Sequence, residues 1–171
     1  MRLALKRILV PIDFSPTSER ALRHARELAA TYSAELILLH VIEAPSMPSI
    51  YGVAYAEAYG HLPDVEQRVQ VALQHLMRDV HWGDLKRGVS YHVRQGQAAN
   101  EITDYAAEHD VDLIVMGAQG LSRFERMLMG SVAKRVLARA PCPVLIIRKA
   151  GKDMVPPSEP IRGQVATPDI A

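Results

Sequence analysis

The chain has 171 residues, of which 49% are hydrophobic and 23% are charged. This length supports one well-buried core and is too short for two ordinary domains. Lysine and arginine together number 20 and aspartate and glutamate number 19, without a run of like charges. Because a nucleic-acid-binding protein normally carries a basic surface, this balance predicts that nucleic acid is not a partner.

The single cysteine, Cys142, excludes an intramolecular disulfide and fits a reducing compartment. The apolar run over residues 8–12 is too short for the core of a signal peptide. No apolar stretch approaches the roughly 20 residues that a membrane-spanning helix needs. The sequence therefore predicts a cytoplasmic protein without membrane association.

Strands and helices are predicted in strict alternation. The first strand covers the apolar run at residues 7–13, and Ser15-Pro16 then supply a capping hydroxyl and a proline for the first turn of a helix. Further strands are predicted at residues 35–42, 89–93, 111–116 and 144–147, with helices between them, the second beginning near Pro63 and the last ending near Arg139. This order predicts an α/β fold with an open, five-stranded parallel sheet and helices on both faces.

Two segments fall outside this alternation. Residues 43–62 form a long connection that carries Tyr51, Tyr55 and Tyr59 at helical spacing. They indicate a surface helix that packs its tyrosines on the body or, alternatively, a flap over a ligand or a contact for a second subunit. Residues 149–171 are rich in proline and show no apolar period. We therefore expect one domain over residues 1–148 and a C-terminal tail over residues 149–171.

Candidate binding residues follow the first and fourth strands, because ligands of open parallel sheets bind beyond the carboxyl ends of the strands. Asp13 suits ribose hydroxyls or a metal ion, or alternatively caps the next helix. Gly117 and Gly120 permit a positive φ and close approach of a ligand, or are turn glycines without a ligand. Gly130 and Ser131 place N–H groups and a hydroxyl at the start of the last helix, where phosphate binds well.

Familiar catalytic motifs are missing from the sequence. There is no Gly-Lys-[Ser/Thr] of a P-loop, no G-x-G-x-x-G fingerprint and no nucleophile elbow. The seven histidines show no metal-ligand spacing, and His40, within an apolar strand, is interpreted as a hydrogen-bonded core residue. No catalytic residue is predicted.

Four separated blocks occur in order: residues 6–15 with Ala21-Leu22, then Leu39-His-Val41, then Gly117-x2-Gly120-x9-Gly130-Ser131, then residues 141–147. Over residues 5–148 the chain resembles the universal stress protein family, and the spaced glycine motif is typical of its ATP-binding branch. This resemblance implies a sheet of strand order 3-2-1-4-5, in which the first and fourth strands are neighbours.

The resemblance also implies the roles of individual residues. The adenosine site would be lined by four residues, with Asp13 on the ribose and the backbone of Val41 reading adenine: Pro11, Asp13, Val41 and Met116. The phosphates would be held by Gly117, Gly120, Gly130, Ser131 and Val132. ATP is the implied ligand, with AMP as an alternative, Mg²⁺ as a candidate ion and Asp13 as its candidate ligand. A homodimer through the strand Val144 to Ile147 is implied as well.

Three functions are compatible with these residues. The first is an ATP-binding stress-response regulator that acts as a dimeric switch toward a protein partner not yet identified. The second is a slow ATP hydrolase or autophosphorylating protein, with Asp13 aiding a metal and Ser131 near the γ-phosphate. The third is a dimerisation module that needs no nucleotide. The complete glycine spacing favours the first, a nucleotide-binding protein rather than an efficient enzyme.

Overall fold

The computed structural model describes residues 4–43, 62–80, 82–83, 85–119 and 129–148. Nine elements alternate along these residues, beginning with a strand. The strands are β1 (Arg7–Pro11), β2 (Glu35–Ile42), β3 (Val89–Gln95), β4 (Leu113–Gly117) and β5 (Val144–Ile147). The helices are α1 (Pro16–Tyr32), α2 (Leu62–Asp79), α3 (Ala98–Glu108) and α4 (Ser131–Arg139). None of the helices in these ranges is both long and apolar enough to cross a bilayer.

All five strands form one parallel sheet in the order β3-β2-β1-β4-β5, so the predicted architecture is confirmed. The first strand is shorter than predicted. It ends at Pro11 rather than Asp13, although the N–H of Ile12 still donates to the carbonyl of Leu39 at 2.9 Å. The chain then turns at Phe14, which adopts a left-handed backbone with φ of 58°. Asp13 therefore lies in the turn between β1 and α1.

The two faces of the sheet carry separate hydrophobic clusters. On one face, α1 and α2 cover Ile8, Val10, Leu36 and Leu38. On the other face, α3 and α4 cover Leu9, Ile37, Leu39, Ile114 and Met116. Because side chains alternate between the faces of a strand, the apolar runs of β1 and β2 supply both clusters at once. We call these the α1/α2 face and the α3/α4 face.

The start of α1 is fixed as the sequence predicts. Ser15 is the N-cap, and its Oγ accepts a hydrogen bond from the N–H of Ser18 at 3.2 Å. Pro16 occupies the first helical position, where its missing N–H costs nothing. The predicted cap is therefore confirmed, and it places the first turn of α1 beside the carboxyl end of β4.

Gly117, the last residue of β4, lies against that first turn. A Cβ built on Gly117 would be 3.0 Å from Cβ of Thr17 and 3.1 Å from its backbone carbonyl carbon. Gly117 permits a positive φ but does not adopt one, since among the described glycines only Gly88 and Gly96 do. Glycine suits position 117 because a Cβ there would approach Thr17 more closely than most Cβ atoms approach their neighbours, so α1 would have to move slightly.

We expect Gly117→Ala to lower the free energy of unfolding by about 1–3 kcal/mol, because the added methyl forces the helix away from the strand. Gly88→Asn is the control, since a Cβ at Gly88 meets no atom within 4 Å and asparagine tolerates its φ of 79°. Urea denaturation of both variants measures the difference. Equal stability of Gly117→Ala and the wild type would contradict the steric account.

Candidate functional site

The carboxyl ends of β1, β2 and β4 bring three predicted binding residues to one edge of the sheet. Pro11 pairs with Leu39 of β2, and Leu9 pairs with Ile114 of β4, so Pro11 lies level with Met116. Val41 and Met116 both belong to the cluster on the α3/α4 face. Pro11 lies on the same face, because it follows Leu9 by two residues. These side chains form an apolar floor at the sheet edge.

Asp13 stands beside this floor in the turn that follows β1. Its side chain is half-buried, and Oδ1 accepts a hydrogen bond from the N–H of Ser15 at 3.0 Å. The N-cap of the helix is Ser15, so Asp13 does not have the alternative role of the cap. The bond to Ser15 holds one of the two oxygens of the Asp13 carboxylate.

A chain of hydroxyl groups connects this turn to the glycine-marked loop after β4. Ser15 Oγ and Thr17 Oγ1 lie 3.1 Å apart, and Thr17 Oγ1 donates to the backbone carbonyl of Gln119. Ser15 and Thr17 are both buried, with exposed fractions of 2% and 5%. Since unmade hydrogen bonds of buried groups are costly, these bonds hold the two halves of the site in one arrangement.

The two ends of the loop after β4 are joined directly. The N–H of Gly130 donates to the carbonyl of Ala118 at 2.7 Å, and the N–H of Ala118 donates to the carbonyl of Ile147 at 2.7 Å. Residue 117 in β4 and residue 131 in α4 are thereby brought close together across the loop. The first turn of α4 opens next to the carboxyl end of β4 as a result.

The start of α4 differs from the starts of α1 and α3. The N-terminal N–H groups of α1 are capped by Ser15, and the N–H of Ala98 in α3 donates to the carboxylate of Glu43 at 2.9 Å. The N-cap of α4 is Gly130, with φ of −69°, and glycine has no side chain with which to cap the helix. Because the first N–H groups of a helix attract anions, the start of α4 is suited to a phosphate group.

His40 lies behind the turn that carries Asp13. Its Nδ1 is 2.7 Å from the carbonyl oxygen of Ile12, and its ring centroid is 5.1 Å from that of Phe14. Burial lowers the pKa of His40, while the bond to Ile12 and the charge of Asp13 act in the opposite direction. The prediction of a hydrogen-bonded histidine in the strand is confirmed, and its partner belongs to the site.

The predicted site residues can now be placed. Pro11, Asp13, Val41, Met116, Gly117, Gly130, Ser131 and Val132 all lie at the carboxyl edge of the sheet or at the start of α4. Val132 packs against the same cluster as Val41. Gly120, the connection with its three tyrosines and the tail over residues 149–171 lie outside the described residues. Within the described ranges, no three metal-ligating side chains come together.

Sequence reasoning missed Thr17 and Glu43. Thr17 bonds to a carbonyl 102 positions along the chain, and Glu43 caps a helix 55 positions away. Neither pairing leaves a signal in one sequence, because the partner in each case is a backbone group that any residue supplies. Only the register of the sheet brings them together.

The family model described as "Universal stress protein family" matches residues 4–148. Among characterised relatives, the universal stress protein MJ0531 of Methanocaldococcus jannaschii is 34% identical over 86% of this chain and 85% of its own. The universal stress protein YxiE of Bacillus subtilis is 32% identical over 83% of this chain and 98% of its own. The chain therefore belongs to the universal stress protein family.

Solved structures agree with this assignment. The universal stress protein UspA from Lactobacillus plantarum has a TM-score of 0.75 and 27% identity, over 86% of this chain and 100% of its own. A universal stress protein solved in complex with cAMP has a TM-score of 0.54 and 26% identity, over 85% of this chain and 98% of its own. The fold expected from the sequence is thus the fold of these proteins.

Thr17→Val tests the bond between the two halves of the site. We expect a loss of about 1–3 kcal/mol of stability, because the nearly isosteric change leaves the carbonyl of Gln119 without its hydroxyl donor. Hydrogen exchange at the amides of Ala118 and Gly130 should also become faster. Thr103→Val is the matched control, since Thr103 is equally buried but bonds only within α3.

The control should also lose stability. In the control, however, exchange at the amides of Ala118 and Gly130 should become faster only as much as the lower global stability explains. Equal exchange rates in Thr17→Val and Thr103→Val, after correction for stability, would show that the hydroxyl chain does not hold the loop ends.

The pKa shifts of two histidines predict how stability depends on pH. Burial lowers the pKa of His40, and burial with the nearby His109 and Arg94 lowers the pKa of His92, from ordinary values of 6.5. Below pH 6.5 the unfolded chain binds more protons than the folded protein. The contribution of these two histidines to the free energy of unfolding is therefore fully present above pH 6.5 and decreases as the pH falls.

Unfolding free energies measured between about pH 7.5 and pH 5.5 test this prediction. We expect a shallower slope in His40→Asn and in His92→Asn than in the wild type, and the shallowest slope in the double variant. A wild-type stability that is constant over the range, or slopes unchanged by both substitutions, would contradict it.

Proposed function

We propose that this protein is a regulatory protein that binds ATP at the carboxyl edge of its sheet, between the turn at Asp13 and the start of α4. The observation that carries the proposal is the start of α4, where the N-cap Gly130 has no side chain to cap the helix and is held next to β4 by its bond to Ala118. Two neighbouring helices have their first N–H groups engaged by Ser15 and Glu43. The proposal therefore assigns the anion to the N–H groups at the start of α4.

The other end of the site suits an adenosine. Pro11, Val41 and Met116 offer an apolar surface for the base, and the backbone of Val41 offers hydrogen-bonding groups for its edge. Asp13 supplies a carboxylate that accepts hydrogen bonds from ribose hydroxyls. The apolar floor, the carboxylate and the helix N-terminus would thus meet the base, the ribose and the phosphates, in that order.

The related structure in complex with cAMP supports an adenine nucleotide as the class of ligand. Its nucleotide carries one phosphate, and the proposal extends the site to ATP through the residues that follow β4. In this proposal Gly117, Gly120, Gly130, Ser131 and Val132 hold the phosphates. AMP is the alternative ligand, and Mg²⁺ beside Asp13 would share the charge of a triphosphate.

The remaining parts of the proposal concern the whole protein. We place it in the cytoplasm as a homodimer that pairs through β5, which is an edge strand of the sheet with three half-buried apolar residues. Residues 1–148 are the nucleotide-binding domain and residues 149–171 a tail. Nucleotide binding would change the affinity of this dimer for a protein partner in a stress response.

Ser131→Pro separates phosphate binding from binding of the nucleoside. Ser131 is the first residue of α4, where proline is tolerated, and the preceding Gly130 already has the extended ψ of 161° that proline demands. The substitution removes one N–H at the helix start. We expect the Kd for ATP to rise about 10- to 100-fold and the Kd for adenosine to change less than about twofold.

Isothermal titration of both ligands measures these constants, and circular dichroism checks that α4 is retained. Ser131→Ala is the matched control, because it removes the hydroxyl and keeps the N–H. Nucleotide released from the denatured wild type should be intact ATP, whereas released ADP with metal-dependent turnover would favour the hydrolase. The proposal would be contradicted if no nucleotide copurified with the wild type and the wild type did not bind ATP on titration.

A further inference from the structure

His40 belongs to β2 but lies on the opposite face from the proposed ligand. Its neighbours Leu39 and Val41 lie on the α3/α4 face, so His40 points to the α1/α2 face. There it contacts Ile12 and Phe14, which both belong to the cluster on that face. A ligand above Val41 would be separated from His40 by the sheet itself, so any effect of His40 on binding has to act through the protein.

The first group that His40 contacts is the peptide just before Asp13. The carbonyl of Ile12 can only accept a hydrogen bond, so Nδ1 of His40 carries the hydrogen. The N–H of Ile12 donates to the carbonyl of Leu39. Ile12 is therefore bonded to β2 through both of its backbone groups, although β1 has already ended. His40 thus extends the pairing with β2 as far as Ile12, the residue directly before Asp13.

The second group is the ring of Phe14, just after Asp13. A φ of 58° is costly for a bulky side chain, on the order of 1–3 kcal/mol, and persists only when surrounding contacts enforce it. Phe14 is buried, and its ring meets the ring of His40 at a centroid distance of 5.1 Å. This conformation of Phe14 brings the N–H of Ser15 within 3.0 Å of Asp13 Oδ1.

We propose that His40 is a positioning residue for Asp13: through Ile12 and Phe14 it holds the turn that presents the Asp13 carboxylate to the ribose of the bound nucleotide. This inference rests on the proposed function, because it assigns the cause of ribose recognition at the same site. It also gives His40 a role beyond that of a satisfied core residue, and the two roles differ in a measurable way.

The difference lies in which ligands are affected. If His40 acts through Asp13, its loss weakens only ligands that carry ribose hydroxyls, because those hydroxyls are what the carboxylate binds. If His40 only stabilises the fold, its loss affects all adenine nucleotides equally. ATP and 2′,3′-dideoxy-ATP are the matched pair of probes, since they share the base and the triphosphate and differ in the two hydroxyls.

The experiment measures the Kd of both probes by isothermal titration. We expect the wild type to prefer ATP over dideoxy-ATP by about tenfold or more, as one hydrogen bond to a charged group provides. His40→Phe keeps a ring against Phe14 and lacks the N–H. It should lose most of this preference through weaker binding of ATP, with the Kd for dideoxy-ATP unchanged within about twofold. His40→Leu serves the same purpose if the phenylalanine variant does not fold.

Two further variants complete the design. His40→Asn places an amide N–H at the position of Nδ1 and should restore most of the preference for ATP. His24→Leu is the matched control, because His24 is a buried histidine whose Nδ1 lies 2.8 Å from the carbonyl of Arg20 within α1. It should alter stability and leave the preference unchanged.

The outcomes separate the two proposals. A wild type that binds neither probe overturns the proposed function. A wild type that binds both probes equally, or a His40→Phe that weakens both equally, overturns the positioning role and leaves nucleotide binding intact. Loss of the preference in His40→Phe with recovery in His40→Asn supports the positioning role.

Discussion

The arrangement of the site depends on the hydroxyl chain that runs from the turn after β1 to the loop after β4. Asp13 accepts from the N–H of Ser15, the hydroxyls of Ser15 and Thr17 are in contact, and Thr17 donates to the carbonyl of Gln119. Each bond contributes only about 1 kcal/mol, but the hydroxyls of Ser15 and Thr17 are buried, where a lost hydrogen bond is costly. Segments about 100 residues apart in sequence are thereby held as one unit.

The sheet divides the work of the site between its two faces. Residues on the α3/α4 face, such as Val41 and Met116, form the floor on which a ligand would lie. Residues on the α1/α2 side, such as His40 and Thr17, fix the backbone from behind. Because side chains alternate along a strand, adjacent residues in β2 face the side of the proposed ligand and the supporting side in turn. Gly117 belongs to the supporting side, since the space that it leaves is filled by α1.

Much of the fold follows from local patterns in the sequence. The apolar runs, the cap at Ser15 and the alternation of elements predict the parallel sheet, and the resemblance to the family predicts its strand order. The exact end of β1 was missed, because the left-handed backbone of Phe14, whose ring lies against that of His40, has no signature of its own in the sequence. Gly117 likewise has no sequence signal for its close packing against α1. Its neighbour in space, Thr17, is set by the approach of a distant helix.

The central claim is that the turn at Asp13 and the start of α4 bind the same nucleotide molecule. An NMR titration of the isotope-labelled protein with ATP, followed at the backbone amides, tests it most directly. The account predicts that the amides of Phe14 and Ser15 and those of Ser131 and Val132 shift together, with one common Kd. Shifts in only one of these groups, or shifts concentrated on β3 and the outer surface of α3, would contradict it.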